Sequence, residues 1–203
     1  ETAGANRVIS IDLHAAQIQG FFDIPIDNFP AAPLLASYFN KLNKQDIVVV
    51  SPDHGGATRA RSFARFFESS IAIIDKRRPA HNEVEVMNVI GDVKGKTCIV
   101  IDDMIDTGGT LIEGAKALLK NGAKEVYACA THGVFSRDAL DRIEESCVKK
   151  VVVTNTIYHE NIDKYKKIKV LGIGSLLGKS IINIIYDRPI SQIFENIYKD
   201  RLE

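Results

Sequence analysis

The chain reads as an α/β protein built on an open, mainly parallel sheet with helices on both faces, and three observations predict it. Short apolar runs at residues 47–50, 98–101 and 151–153 show no alternation, as expected of strands covered on both sides. Between such runs the apolar spacing changes to a helical period, as at Leu111, Ala115, Leu118 and Leu119 before a stop at Asn121-Gly122. Chemically capable residues gather at the carboxyl ends of four strands: His14, Asp53, Asp75-Lys76 and Asp102-Asp103. That edge is where open α/β sheets bind ligands.

The bulk numbers set limits. With 203 residues there is material for one large domain or one and a half smaller ones. Lys+Arg and Asp+Glu both number 26, so the formal charge is zero and no electrostatic case for nucleic acid or a membrane surface can be made. Cys98, Cys129 and Cys147 are far apart without metal-ligand spacing, and read as reduced core thiols of a cytoplasmic protein. No apolar run is long enough to span a bilayer. Residues 1–5 look like the last turn of a helix with its Gly stop, so upstream sequence is expected.

In chain order, a strand is expected over 7–13, ending on His14. Residues 12–28 hold Asp12, His14, Asp23 and Asp27 around Gly20-Phe21-Phe22, four side chains that could meet a metal or a triphosphate; the three acids suit turns and caps equally well. Pro30 and Pro33 mark a linker at 29–33 before a helix over 34–42 and a strand over 47–50. Asp53 then stands beside Gly55-Gly56, a carboxylate with little evident structural work in a turn suited to phosphate. Arg59, Arg61 and Arg65 on the next helix read as a solvated face.

A strand over 71–75 leads into Lys76-Arg77-Arg78, three adjacent cations that a folded protein exposes or supplies with an anion. One reading is a basic hairpin tip; the other is a loop that closes over a triphosphate. Residues 85–89 read as the return strand. The central stretch runs from the apolar 98–101 through Asp102-Asp103 to Asp106-Thr107-Gly108-Gly109-Thr110. Adjacent glycines allow close backbone approach, and hydroxyls with unpaired amides at a helix start suit a phosphate. Acids repel phosphate but accept hydrogen bonds from sugar hydroxyls or hold a divalent metal. Acids and amides on one short loop describe a site for a phosphorylated sugar. Strands over 125–131, 150–154 and 168–173 follow, with helices over 138–145 and 175–186. His132 receives no role from the sequence.

The stretch 98–110 resembles the phosphoribosyl pyrophosphate signature of the phosphoribosyltransferase-type (type I) fold. Residues 12–28, Ser51-Pro52-Asp53 with Gly55-Gly56, and Lys76-Arg77-Arg78-Pro79 resemble the ribose-phosphate pyrophosphokinase family, and the likeness extends over essentially the whole chain. The resemblance implies transfer of the pyrophosphoryl group of magnesium-ATP to the 1-hydroxyl of ribose-5-phosphate. It assigns Lys76 and Arg78, with His14, to catalysis, and His14 and Asp53 to the metal. Asp102, Asp103, Asp106, Thr107, Gly108, Gly109 and Thr110 would bind ribose-5-phosphate, and Asp106 is a candidate to take the hydroxyl proton. It also implies a homo-oligomer, a hexamer built from dimers.

The same resemblance divides the chain into 1–31, the remnant of an N-terminal domain, 32–187, a C-terminal domain, and a tail over 188–203. Family members contain two similar halves, so this chain alone could bind ribose-5-phosphate without turnover. Two alternatives stand beside the enzyme. A transferase that consumes phosphoribosyl pyrophosphate leaves the His14 segment and Lys76-Arg77-Arg78 unexplained. A non-catalytic regulatory relative would carry an insertion beside the loop, which here runs unbroken over 75–82.

Overall fold

The computed structural model describes residues 1–42, 44–77, 86–191 and 193. A separate two-stranded parallel sheet comes first, β1 (Val8–Ile11) with β2 (Ile26–Phe29). The main body follows as α1 (Ala32–Lys41), β3 (Ile47–Ser51), α2 (Ala57–Ala64), β4 (Ser70–Arg77) and β5 (Val86–Ile90). Then come β6 (Thr97–Ile105), α3 (Gly109–Lys120), β7 (Glu125–Gly133), α4 (Ala139–Glu145), β8 (Lys150–Thr154), β9 (Ile168–Leu171) and α5 (Gly174–Ile185). The seven-stranded sheet has the order β5-β4-β3-β6-β7-β8-β9, parallel except for the edge strand β5.

Both faces of the central strands are buried, which is why their sequences do not alternate. Val48 and Val50 of β3, Cys98 and Val100 of β6, and Val126 and Ala128 of β7 join Leu111, Ala115 and Leu118 of α3 on one face. The intervening Val49, Ile99, Ile101, Tyr127 and Cys129 join Leu35 and Phe39 of α1 and Phe63 of α2 on the other. The period of two along each strand therefore fills two cores at once. Leu118 is fully buried, so truncation to Ala would cost about 2–5 kcal/mol.

This topology fixes the site. From β3 the chain moves outward to β4 and β5, then returns to place β6 on the opposite flank of β3. The strand order reverses between β3 and β6, and α2 and α3 leave those strands on opposite faces. A crevice opens at the carboxyl ends of strands at such a reversal.

Several boundaries differ from the sequence reading. β1 stops at Ile11 because Asp12 turns the chain at φ 42°, and β2 was not foreseen. The Pro-marked segment is not a linker throughout: Phe29 ends β2, and Pro33 lies in the first turn of α1, where its missing N–H is harmless. β6 continues through Asp102 and Asp103 to Ile105, so both acids lie within a strand instead of after it. Of the cysteines, Cys98 and Cys129 are buried, whereas Cys147 is exposed and is not a core thiol. Among the described residues, no helix is long and apolar enough to cross a membrane.

Candidate functional site

Alternation along β6 places Val100, Asp102 and Met104 along one cleft, which continues over Asp106 just past the strand and is closed by Pro52 and Asp53 after β3, Lys76 at the end of β4, and Thr107, Gly108 and Thr110 at the start of α3. Its volume is about 240 Å³. That is below the roughly 300–1,000 Å³ of clefts for drug-sized ligands, and it suits one small polar molecule. Gly108 precedes α3 as its N-cap at φ 72°, with no side chain capping the helix. Its first-turn amides have no partner within the helix, and the positive end of its dipole faces the cleft. Lys76 Nζ lies 3.3 Å from Thr110 Oγ1, which brings an ammonium to the same turn.

The acids of β6 are held differently. Asp102 accepts from Arg59 Nη1 at 2.8 Å and from the Asp103 amide at 2.9 Å. Asp103 belongs to the other alternating set, is buried, and meets His14 Nδ1 at 2.5 Å and Arg59 Nη1 at 3.4 Å. Burial, with the adjacent Asp103 carboxyl adding to it, pushes Asp102 up to about 6. Burial acts on Asp103 in the same direction, but the hydrogen bonds from Asp102 and His14 and the Arg59 charge outweigh it and hold Asp103 below the usual range.

The turn residues have supports of their own. Asp106 accepts a short hydrogen bond from Ser136, and the Thr107 carbonyl accepts from Arg142 Nη1 at 3.3 Å. Asp53 is not without structural work: its Oδ1 accepts from the Gly56 amide at 2.8 Å and so shapes the turn into α2. Gly56 is required there, since an added Cβ would stand 2.7 Å from Ser51 Oγ. Among the described residues, no three His, Cys, Asp or Glu side chains gather to hold a metal ion.

The structure thus brings Asp53, Lys76, Asp102, Asp106, Thr107, Gly108 and Thr110 to one cleft, with Gly109 opening α3 beside it. His14 and Asp103 form a pair on the adjoining face of β6. Arg78 lies outside the described residues. Arg59, read from sequence as part of a solvated face, instead binds both acids. The available signal was a cation in the first turn of a helix, where the dipole disfavours it unless an anion is near. His54, which sits between Asp53 and the glycines, meets the buried Asp75 at 2.9 Å just before Lys76. Ser136 is presented between Phe135 and Arg137, both at positive φ (47° and 58°), a feature with no sequence signature.

Residues 76–195 match the model of the phosphoribosyl synthetase-associated domain. The chain is 55% identical over 194 residues to a ribose-phosphate pyrophosphokinase of Bacillus subtilis, and 54% identical over 197 residues to ribose-phosphate pyrophosphokinase 2 of Enterococcus faecalis. Each alignment covers 96% of this chain and 61% of the relative, so the chain spans about three fifths of the length of these proteins. It superposes on the crystal structure of phosphoribosylpyrophosphate synthetase from Mycobacterium smegmatis with a TM-score of 0.83 at 42% identity, covering 92% of this chain and 61% of that one. With more than half of its residues inside the domain match and the fold shared, the chain belongs to the ribose-phosphate pyrophosphokinase family.

Proposed function

We propose that this chain carries the ribose-5-phosphate site of a ribose-phosphate diphosphokinase, which transfers the pyrophosphoryl group of ATP to the 1-hydroxyl of ribose-5-phosphate and releases AMP. The observation that carries the reading is the uncapped start of α3 sharing one small cleft with the carboxylates of Asp102 and Asp106 and the ammonium of Lys76. Family membership supports the chemistry and a phosphorylated ribose as the ligand.

In this reading the α3 amides with the Thr107 and Thr110 hydroxyls hold the 5-phosphate. Asp102 accepts hydrogen bonds from ribose hydroxyls, and Arg59 keeps it in place. Asp106, braced by Ser136, takes the proton as the 1-hydroxyl attacks the β-phosphorus and AMP departs with the bonding electrons. Lys76, with Arg78, stabilises the charge that spreads over the transferring group. His14, fixed on Asp103, and Asp53 serve the ATP side. Magnesium takes oxygen ligands and shares its shell with substrate phosphates, and Asp53 is the hard oxygen donor that would hold it. Bound there, the ion would supply charge neutralisation to the triphosphate.

Residues 1–31, whose two strands form a sheet apart from the main one, are assigned to a neighbouring domain, 32–187 to the substrate-binding domain, and 188–203 to a tail. A cytoplasmic homo-oligomer, a hexamer built from dimers, completes the proposal. Intact mass, ribose-5-phosphate binding and AMP release measured on one sample test it. Saturable ribose-5-phosphate binding that is abolished in Asp102→Ala, together with AMP release that is lost in Lys76→Ala, is the expected result. Binding without AMP release would leave a sugar-phosphate-binding module, and absence of both would overturn the reading.

A further inference from the structure

His14 is largely exposed, its side chain 72% accessible, yet its imidazole is aimed at a buried carboxylate. An exposed side chain does not hold such a direction by its own packing, so its backbone has to be held. Two residues earlier, Asp12 occupies the left-handed region at φ 42°, which residues with a Cβ seldom adopt and Asp adopts more readily than most, and its surroundings hold it there. The surroundings here are explicit. Asp12 Oδ2 accepts from Thr131 Oγ1 at 2.6 Å and from the Ala31 amide at 2.8 Å, and the Leu13 amide donates to Asn28 Oδ1 at 3.1 Å. His132 Nε2 lies 3.0 Å from the Ile11 carbonyl oxygen and 3.1 Å from that of Asp12, the two carbonyls that flank the turn.

Two carbonyls can only accept, so His132 carries its proton on Nε2, while Nδ1 faces the Thr156 hydroxyl at 2.9 Å. With both ring nitrogens engaged inside the protein, His132 is unavailable as a base or metal ligand. Its place in the sheet gives it another use. His132 on β7 is the register partner of Met104 on β6, one residue from Asp103. The clamp on the turn and the carboxylate that His14 must reach therefore hang from adjacent hydrogen-bonded strands, and the sheet fixes the offset between them.

We propose that His132 is a positioning residue, which clamps the turn at Asp12 and thereby delivers the His14 imidazole to Asp103. Its catalytic consequence rests on the functional reading above, whereas the clamp itself does not. The test is the long-range 1H–15N correlation spectrum of the imidazoles in the full-length protein, at a pH above the ordinary imidazole range, with His14 assigned by its absence in His14→Gln. In the wild type His14 shows one fixed tautomer. In His132→Ala it shows the averaged pattern of a free imidazole, and in His132→Gln, whose amide N–H replaces Nε2–H, the fixed pattern returns.

An unchanged His14 signal in His132→Ala, or Ala and Gln variants that behave alike, overturns the proposal. Should His132→Ala fail to fold, Thr131→Val removes only the hydroxyl that holds Asp12, and a loosened His14 is expected there too; an unchanged one overturns the clamp. In AMP release, His132→Ala lowers kcat/KM roughly 10–100-fold, the usual scale for losing an orienting partner, and has no further effect in a His14→Ala background. Multiplicative losses would instead mean a general structural role. A protein with the expected spectra but neither sugar-phosphate binding nor AMP release keeps the clamp and loses the functional reading.

Discussion

At the amino-terminal ends of β6 and β7, Glu125 accepts from Lys44 Nζ at 2.8 Å, from Tyr127 at 3.2 Å and from Thr97 at 3.3 Å. At the carboxyl-terminal ends of the same sheet, Asp102, Asp106 and Lys76 surround a cleft beside an uncapped helix start. Both clusters have cations, acids and hydroxyls. In the first, every contact strengthens its neighbour: the hydrogen bond with Glu125 pushes Lys44 up to about 12, and Glu125 is held below its ordinary value, its hydrogen bonds and the Lys44 charge outweighing burial. In the second, burial leaves Asp102 raised, and the helix amides are without a partner in the helix. A charge cluster that satisfies itself is structure. One that leaves donors and a raised acid around a cleft is suited to a guest.

The two lysines are expected to behave differently. Lys76→Ala in the full-length protein is expected to lower AMP release by about 10²–10³-fold, the scale for removing one donor to transition-state charge, with the melting temperature unchanged. Its counterpart Lys44→Ala should lower the melting temperature by a few degrees and leave kcat/KM within about twofold. Steady-state kinetics and thermal melts of both variants decide it.

Glu125 and Asp102 sharpen the contrast on the acid side. Glu125→Gln disturbs a nearly buried acceptor of several hydrogen bonds, and a loss of about 1–3 kcal/mol in urea unfolding is expected, without change in ribose-5-phosphate affinity. Asp102→Asn should do the reverse, weakening ribose-5-phosphate binding by about tenfold or more in calorimetry while leaving stability equal or higher near neutral pH.

Most of this architecture was legible, because paired burial of the central strands leaves unbroken apolar runs and helical spacing between them. The cleft was legible for the same local reason: strand, acids, glycines and helix are contiguous over residues 98–110. What could not be read was anything set by a meeting of distant segments. Arg59 looked solvated because the chain does not announce that α2 leans over β6. Asp53 appeared free because its bond to the Gly56 amide depends on turn geometry. The acids of β6 read as one pair, whereas the strand's alternation sends Asp102 into the cleft and Asp103 toward His14, 89 positions away. β2 was missed since its partner β1 lies across an irregular segment, and His132 had no meaning until the turn at Asp12 existed for it to hold.

The titration of Asp102 gives a smaller effect of known sign. An unfolded Asp titrates near 4, and the folded Asp102 near 6. Between those values the folded protein keeps a proton that the unfolded chain has released, so this group's contribution to stability is fully present below about pH 4 and is lost as the pH rises through about 6. Asp103 and Glu125, both lowered, contribute in the opposite sense: their stabilisation is present above the unfolded values and lost as pH falls through the folded ones. Urea midpoints measured from about pH 4 to about pH 7 should therefore show a downward component that disappears in Asp102→Asn.

The smallest expected effect tests the helix start itself. Gly108 precedes α3 at φ 72°, a conformation that costs an L-residue about 1–2 kcal/mol. The space is not the obstacle, since an added Cβ would meet the Ile143 side chain at 3.4 Å, ordinary van der Waals contact. Gly108→Ala should thus lower stability by about 1 kcal/mol through backbone strain alone, or rotate the turn to relieve it. If the turn rotates, the first amides of α3 no longer converge on the cleft, and ribose-5-phosphate affinity falls while stability is spared. If the backbone holds, stability falls and affinity is kept. Either trade ties the fold's local geometry to its ligand, and only a variant that keeps both would separate the uncapped helix from the binding of phosphate.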